Sequence, residues 1–422
     1  MPSASRRLAP GPCAGILGTV GLSVLESRRA LTLYVAAGAA FAAIAARGLL
    51  VPLYAHDLGA SRFEVGALFS VSTFAAALLS LPSGLLIDRI GARTLLWTSL
   101  VLSAGSQLAT ATSTTVFPLF VWQVVGGLGA GAQQAALFSS VTESVPANRL
   151  GRSMGWLTFS MQAGFFLGPT IAGLMVAVIP DVRTVIALTT VVLLFAVPGA
   201  IAAPATRQSQ GRFDLMTPIR ALFGQRAFVP VVIGLVSATL VWGTVGAFLP
   251  IFGREALALP SSQVGFLLAV QAIANGLARI PGGRIVDWAP HRWPIVFTGT
   301  VVWAAATIVL GHLQGFVAPA VLMIVATPFM ATAFVAVGVV FGNLSAASTR
   351  GVTMGFYGTV LFLALAGGPI LFGPIIQSYG YAAGFTVCAA VSIALALVMA
   401  AMHAEPLRRR AEVPLPPATP GT

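Results

Sequence analysis

Gly84-Leu85-Leu86-Ile87-Asp88-Arg89-Ile90-Gly91-Ala92-Arg93 lies between two hydrophobic runs, each as long as the twenty or so residues that cross a bilayer. One acid, two arginines and two glycines between such runs predict a tight polar turn at a membrane face. About two hundred residues later the chain repeats the pattern in worn form, Gly283-Arg284-Ile285-Val286-Asp287, again between long apolar runs.

The composition agrees with that reading. With 57% hydrophobic and 8% charged residues spread along 422 positions, the chain has too little polar surface to face water all round. The runs are long and lack strand-like alternation, so the fold class expected is an all-α integral membrane protein. Cys13 and Cys388 are too far apart to suggest a disulfide framework, and the 4 histidines show no ligand spacing, so no cofactor or metal is expected.

From Leu31 the apolar runs predict helices near 31–54, 64–86, 94–112, 116–142, 152–178 and 183–203, then 228–252, 262–285, 293–312, 316–342, 352–377 and 382–402. Residues 1–30 read as a cytoplasmic tail rather than a signal peptide, because Pro10, Gly11, Pro12, Gly15 and Gly18 weaken any helical core. The domains expected are thus a first six-helix bundle (31–203), a cytoplasmic linker (204–227), a second six-helix bundle (228–402) and a tail (403–422). In the linker Leu215, Ile219, Leu222 and Phe223 fall at helical spacing, as in a segment lying on the membrane surface.

The two halves repeat. Pro52 and Pro250, Val65-Gly66 and Val264-Gly265, Asp88 and Asp287, Gly151 and Gly351, and Gly168-Pro169 with Gly173 and Gly368-Pro369 with Gly373 all stand 198 to 200 residues apart. Equal spacing with the same order of spans predicts a parallel repeat about an axis along the membrane normal. Orientation follows from the basic residues, all of them arginine. With both termini inside, nineteen arginines fall on the cytoplasmic side, and only Arg62, Arg183 and Arg254 fall outside. The net charge of +12 is therefore topological, and nucleic acid is not an expected partner.

The 84–93 stretch resembles the signature loop of the major facilitator superfamily, Gly-x-Leu-Ala-Asp-Arg-x-Gly-Arg-Lys, with Ala92 in place of the first base of its closing pair. The resemblance implies that Gly84, Asp88, Arg89, Gly91 and Arg93, with Gly283 and Asp287 in the second half, lock the cytoplasmic side during transport. Glu143 is the expected partner of Arg89 or Arg93. Helix five, with Gly164, Gly168, Pro169 and Gly173, resembles the Gly-x-x-x-Gly-Pro-x-x-Gly-Gly motif of the proton-driven antiporters. Gly164 and Gly168 also read simply as a seam for close helix packing. On helix four, Gln123 occupies the position of an arginine that serves proton coupling in the family.

Candidate ligand contacts follow from depth and spacing. Arg47, seventeen residues into helix one, is a cation deep in a span, where an ionised group faces a partner or a wet cavity. It is expected to face the cavity and supply the charge that position 123 lacks; pairing with Glu64 is the structural alternative. Gln123, Gly127, Gly131 and Gln134 make one stripe on helix four, and Gln271, Asn275 and Arg279 another on helix eight. Trp242 and Phe329 are aromatic candidates for a substrate wall. No carboxylate falls near a midplane in these spans, so either one at a span end carries the proton or transport is not proton-coupled. The function expected is secondary active transport of a small organic molecule across the plasma membrane by alternating access, outward, by a monomer with protons as the candidate coupling ion. The alternatives are a uniporter or importer of a small organic anion, and a transporter-like receptor without flux. No catalytic constellation at one depth suggests an enzyme.

Overall fold

The structure, a computed structural model, describes residues 28–80, 82–145, 150–205, 220, 223–344 and 350–411, with the backbone alone described at 84, 85, 88, 150–152, 342, 343, 350–355 and 404–411. The expected tail before Arg28, most of the 204–227 linker and the end of the chain lie outside the described residues, and Gly84 and Asp88 are known by backbone alone.

The first half comprises α1 (Arg28–Asp57), α2 (Arg62–Ser80), α3 (Ser83–Ile90), α4 (Ala92–Thr112), α5 (Val116–Ser144), α6 (Leu150–Val178), α7 (Val182–Thr189), a 3₁₀ segment (Thr190–Ala196) and α8 (Val197–Ala202). The second comprises α9 (Phe228–Glu255), α10 (Ser261–Trp288), α11 (Trp293–Leu310), α12 (Val317–Asn343), α13 (Arg350–Tyr379) and α14 (Tyr381–Ala411). Among the described residues, eleven spans are long and apolar enough to cross a membrane by length and composition. The twelfth is α4, more polar because Ser99, Ser103, Ser106, Gln107 and Thr110 are turned into the protein.

Two spans differ from a single straight helix. Span two breaks before Pro82, which has no N–H to continue the ladder, and restarts as α3. Its equivalent, Pro281, is absorbed within an unbroken α10. Span six passes through 3₁₀ geometry before Pro198, which also lacks the N–H an α-helix would use. Asp181 caps this span, accepting from the backbone N–H groups of Arg183 and Thr184 at 3.2 and 3.3 Å and from the Thr184 hydroxyl at 2.6 Å. The Thr184 hydroxyl, foremost among these donors, holds the Asp181 carboxyl below the usual carboxylate range.

The signature stretch is mostly helix rather than the polar turn expected. Ser83 to Ile90 coil as α3, and the reversal is confined to Gly91, whose φ of 85° lies in the left-handed region that favours glycine. In the second half the corresponding residues form the last turns of α10, with Asp287 and Trp288 exposed at its end.

Packing shows the repeat as a pseudo-twofold. The Cβ that Gly168 lacks would meet the backbone of Ala42 and Ala46 on α1, and that of Gly368 the Leu240 carbonyl and Thr244 on α9. Gly173 lies against Ser261, Ser262 and Gly265 of α10, while Gly373 lies against Phe63 of α2 and Phe248 of α9. Each half thus seals α1 or α9 with one glycine and reaches the other half with the next. A residue added at Gly168 meets backbone, which cannot turn aside. Gly168→Val is therefore expected to force α1 from α6 and destabilise the fold by roughly 3 kcal/mol or more, read as loss of monodisperse protein in detergent. Unchanged yield and melting temperature would contradict that packing.

The core is divided unequally along the membrane normal. Where α1 and α9 finish, a single cluster joins both halves, with Leu49, Leu50 and Leu53 against Val241, Val245, Phe248, Val264 and Leu267. Toward the signature loop, the described core separates into two. One holds Leu33, Ala37, Leu96, Leu100 and Ala136 from the first half, the other Phe228, Val231, Val296 and Phe341 from the second. The halves are fused at one end and packed on themselves at the other.

Candidate functional site

The fused end carries charges that hold the halves together. Arg62 Nε of α2 is 2.7 Å from Glu255 Oε2 of α9, and Arg254 Nη1 is 2.9 Å from Asp57 Oδ1 of α1. His56 Nδ1 lies 3.4 Å from Glu255 Oε1. The Tyr381 hydroxyl donates to Glu255 Oε2 at 3.0 Å, and the Arg62 guanidinium stands 4.8 Å over the Tyr381 ring. These three pairs, Arg62–Glu255, Arg254–Asp57 and His56–Glu255, all cross between halves at this end. The lock expected from sequence is at the signature loop, and this cluster lies at the opposite end. The signal was available: His56-Asp57 and Arg254-Glu255 are each a base followed by an acid, 198 residues apart.

At the signature loop Arg93 acts within the first half. Arg93 Nε donates to the Ala203 carbonyl at 2.7 Å and its backbone N–H to the Pro204 carbonyl at 3.3 Å, tying α4 to the end of span six. Glu143 accepts from the Ser139 hydroxyl at 2.7 Å, within its own helix. Arg89 is exposed.

Arg47 is nine-tenths buried, and its head reaches α2, α4 and α5 of the first half. Nη2 donates to Ser72 of α2 at 3.2 Å and Nη1 more loosely to Ser106 of α4 at 3.5 Å. The guanidinium fills the space beside Gly126 on α5, where a Cβ would collide with it. No carboxylate lies within ion-pairing distance among the described residues. Glu64, the alternative partner, instead closes a capping box at the start of α2, accepting from Ser61 N–H and Oγ at 2.8 Å each. One turn before Gly126 on α5, the buried Gln123 Oε1 has no hydrogen-bond partner among the described residues. A cation and an orphaned acceptor on adjoining helices form an incompletely satisfied polar site.

The stripe expected on α5 divides. Gly127 and Gly131 press on the Ser72 and Ala76 backbone of α2, so they serve packing rather than a cavity wall, while Gln134 is half-buried. On α10, Asn275 Oδ1 accepts from Gln162 Nε2 of α6 at 3.0 Å and from Arg279 Nε at 3.1 Å, making a polar bridge across the halves; Gln271 is buried one turn away. Arg279 is thus held by a neighbour on its own helix instead of simply reaching for the membrane surface. Gln162 carries no signal of this role in the sequence, since its partner comes from the other half.

Trp242 packs against Trp303 and Phe334 with ring centroids 6.2 and 6.1 Å apart. Phe329 continues an exposed apolar stripe through Val317, Val321, Ile324 and Val325 on α12, the pattern of a lipid-facing surface rather than a substrate wall.

Twelve spans in two pseudo-symmetric halves, joined by charges at one end and a polar bridge at the seam, define a multi-pass membrane protein of transporter architecture. The family profile described as Major Facilitator Superfamily matches residues 33–260 and 231–420, and the chain belongs to that superfamily. It is a family of transporters, not a class of enzymes. The chain is 26% identical over 129 residues to the quinolone resistance protein NorA of Staphylococcus aureus, a match covering 31% of this chain and 33% of NorA. The chain thus spans only about a third of that relative. It is 22% identical over 394 residues to the staphylopine export protein of Staphylococcus aureus (strain Mu50), covering 87% and 94% of the two. Among solved structures, the nucleoside transporter NupG superposes with a TM-score of 0.74 at 13% identity, over 89% of this chain and 99% of that one. A POT family transporter bound to a thioalcohol-conjugated peptide gives 0.73 at 13%, over 90% and 96%.

Proposed function

We propose that this protein is a monomeric secondary active exporter. In this reading it moves a small organic molecule with an acidic group from the cytoplasm across the plasma membrane by alternating access. The observation that carries the reading is the unequal core: one shared cluster with crossing charges at one end, separate clusters at the other. Two rigid bundles in that arrangement adopt one of the two states alternating access needs, and breaking the charges would allow the other. Similarity to the staphylopine export protein over most of both chains supports the outward direction. The arginine distribution puts the signature loop and both termini in the cytoplasm, so the fused end faces outside and the state is inward-facing.

Arg47 supplies the reason for an acidic substrate. A guanidinium in so covered a place is costly without a counter-charge, and here its hydrogen-bonding partners are two neutral hydroxyls. Gln123, Gln134, Trp242, Gln271 and Asn275 are the proposed further contacts. The resemblance of Gly164–Gly173 to the antiporter motif makes protons the proposed coupling ion.

Everted membrane vesicles test direction and coupling together. With a proton gradient, acid inside, vesicles carrying the protein should accumulate acidic fluorescent dyes added outside, and collapsing the gradient should stop it. A cysteine at position 208 should react with an impermeant thiol reagent in these vesicles and not in intact cells. Downhill entry indifferent to the gradient would favour the uniporter reading, and the opposite labelling would reverse the orientation.

A further inference from the structure

The base–acid dipeptides ending α1 and α9 are related by the pseudo-twofold, so each base reaches across to the other helix's acid. The two crossings are equivalent in the fold but not in chemistry. Arg254 meets Asp57 as a guanidinium, charged throughout the physiological range. His56 meets Glu255 as an imidazole, a group whose charge ordinarily changes between about pH 5 and 8. We infer that His56 is a proton-binding site that latches this end of the transporter: a proton taken from the compartment it faces turns the His56–Glu255 contact into an ion pair and holds the halves together.

The surrounding groups leave room for that proton. Glu255 Oε2 is taken by Arg62 from α2 and Tyr381 from α14, whereas Oε1 faces His56 alone among the described residues. Arg254 on α9 is committed to Asp57, the neighbour of His56 on α1. Two cations, Arg62 and Arg254, and two anions, Asp57 and Glu255, surround this position, and Glu255 Oε1 is the group in direct contact with the imidazole. The other charged groups near these helix ends are occupied elsewhere, Glu64 with Ser61, Asp181 with Thr184 and Arg183 with Tyr54. The step is simple: a neutral imidazole gains one proton and no other bond changes. The closed state gains that ion pair when His56 is protonated and loses it when the imidazole is neutral. For an exporter with this end outside, external acid favours return to the state that loads from the cytoplasm.

The inference rests on alternating access, and its test separates the two. Spin labels would be placed at the exposed equivalent loop positions Thr114 and Gln314, with Cys13 and Cys388 replaced, in full-length protein in nanodiscs. Going from about pH 8 to about pH 6 should raise the ratio of short to long distances by up to about five-fold, as a partly exposed pair allows. His56→Gln should abolish that response while leaving the ratio at the higher pH unchanged. His56→Arg should show the larger ratio at both. An undiminished response in His56→Gln, or acidification that lengthens the wild-type distance, overturns the inference and leaves alternating access standing. One invariant distance in every variant at both pH values would overturn both.

Discussion

Arg47→Ala is expected to reduce transport about 100-fold while the protein still reaches the membrane at near wild-type level. The guanidinium donates to Ser72 and Ser106, the latter at only 3.5 Å, and has no carboxylate partner among the described residues. Losing it therefore leaves the Ser72 hydroxyl without its donor, not a charge unpaired, while Ser106 still donates to the Ser103 carbonyl, and stability should fall little. Arg47→Lys keeps the charge but replaces a planar fork with a point donor, so apparent affinity for an acidic substrate should weaken about ten-fold. Glu64→Ala makes a useful contrast. It opens the capping box with Ser61 and should cost about 1 kcal/mol of stability without altering substrate affinity. If Arg47→Ala and Arg47→Lys both lose folded protein and the surviving fraction transports normally, Arg47 is a structural cation and the acidic-substrate reading fails.

The second large effect is expected from Glu255→Gln. This carboxylate accepts from Arg62 at 2.7 Å and Tyr381 at 3.0 Å and faces His56 at 3.4 Å, so one residue on α9 engages three helices through α1, α2 and α14. A neutral amide keeps the shape and removes the charge all these contacts depend on. Because the groups are partly exposed, each pair is modest, but the network acts together. The equilibrium should move about ten-fold toward opening at this end, and net transport should fall because closure becomes the slow step. Asp57→Asn, which breaks the single Arg254 pair, should show a smaller shift of the same sign. An unchanged opening equilibrium in Glu255→Gln would mean that the apolar cluster alone closes this end.

Much of the fold is legible in the sequence because a bilayer requires long apolar helices, and few other patterns satisfy it. The predicted spans match the observed helices to within a few residues at most ends. The break at Pro82 and the 3₁₀ passage at Thr190–Ala196 were not visible, since the equivalent Pro281 sits in an unbroken helix. What a proline does there depends on neighbours that sequence does not supply. The site was less legible for the same reason. Depth in a span could be counted for Arg47, but not that its head turns toward Ser72, Ser106 and Gly126 inside one half. Helical spacing put Gly127 and Gly131 on one stripe with Gln123, yet the face they share is the one pressed against α2. The crossing charges were half visible. Their 198-residue repeat could be read, but that equivalent positions also touch follows only when a pseudo-twofold passes between them.

The central claim is that two rigid halves open alternately at opposite ends, and paired distance measurements test it most directly. One spin-label pair at Thr114 and Gln314 reports the fused end, and a second at Thr94 and His291 reports the signature-loop end, both in the cysteine-replaced background. The account predicts two populations at each end with reciprocal weights, and Glu255→Gln should lengthen the first distance while shortening the second. A single fixed distance at both ends, unmoved by Glu255→Gln, would contradict alternating access and leave a static membrane protein with a transporter's fold.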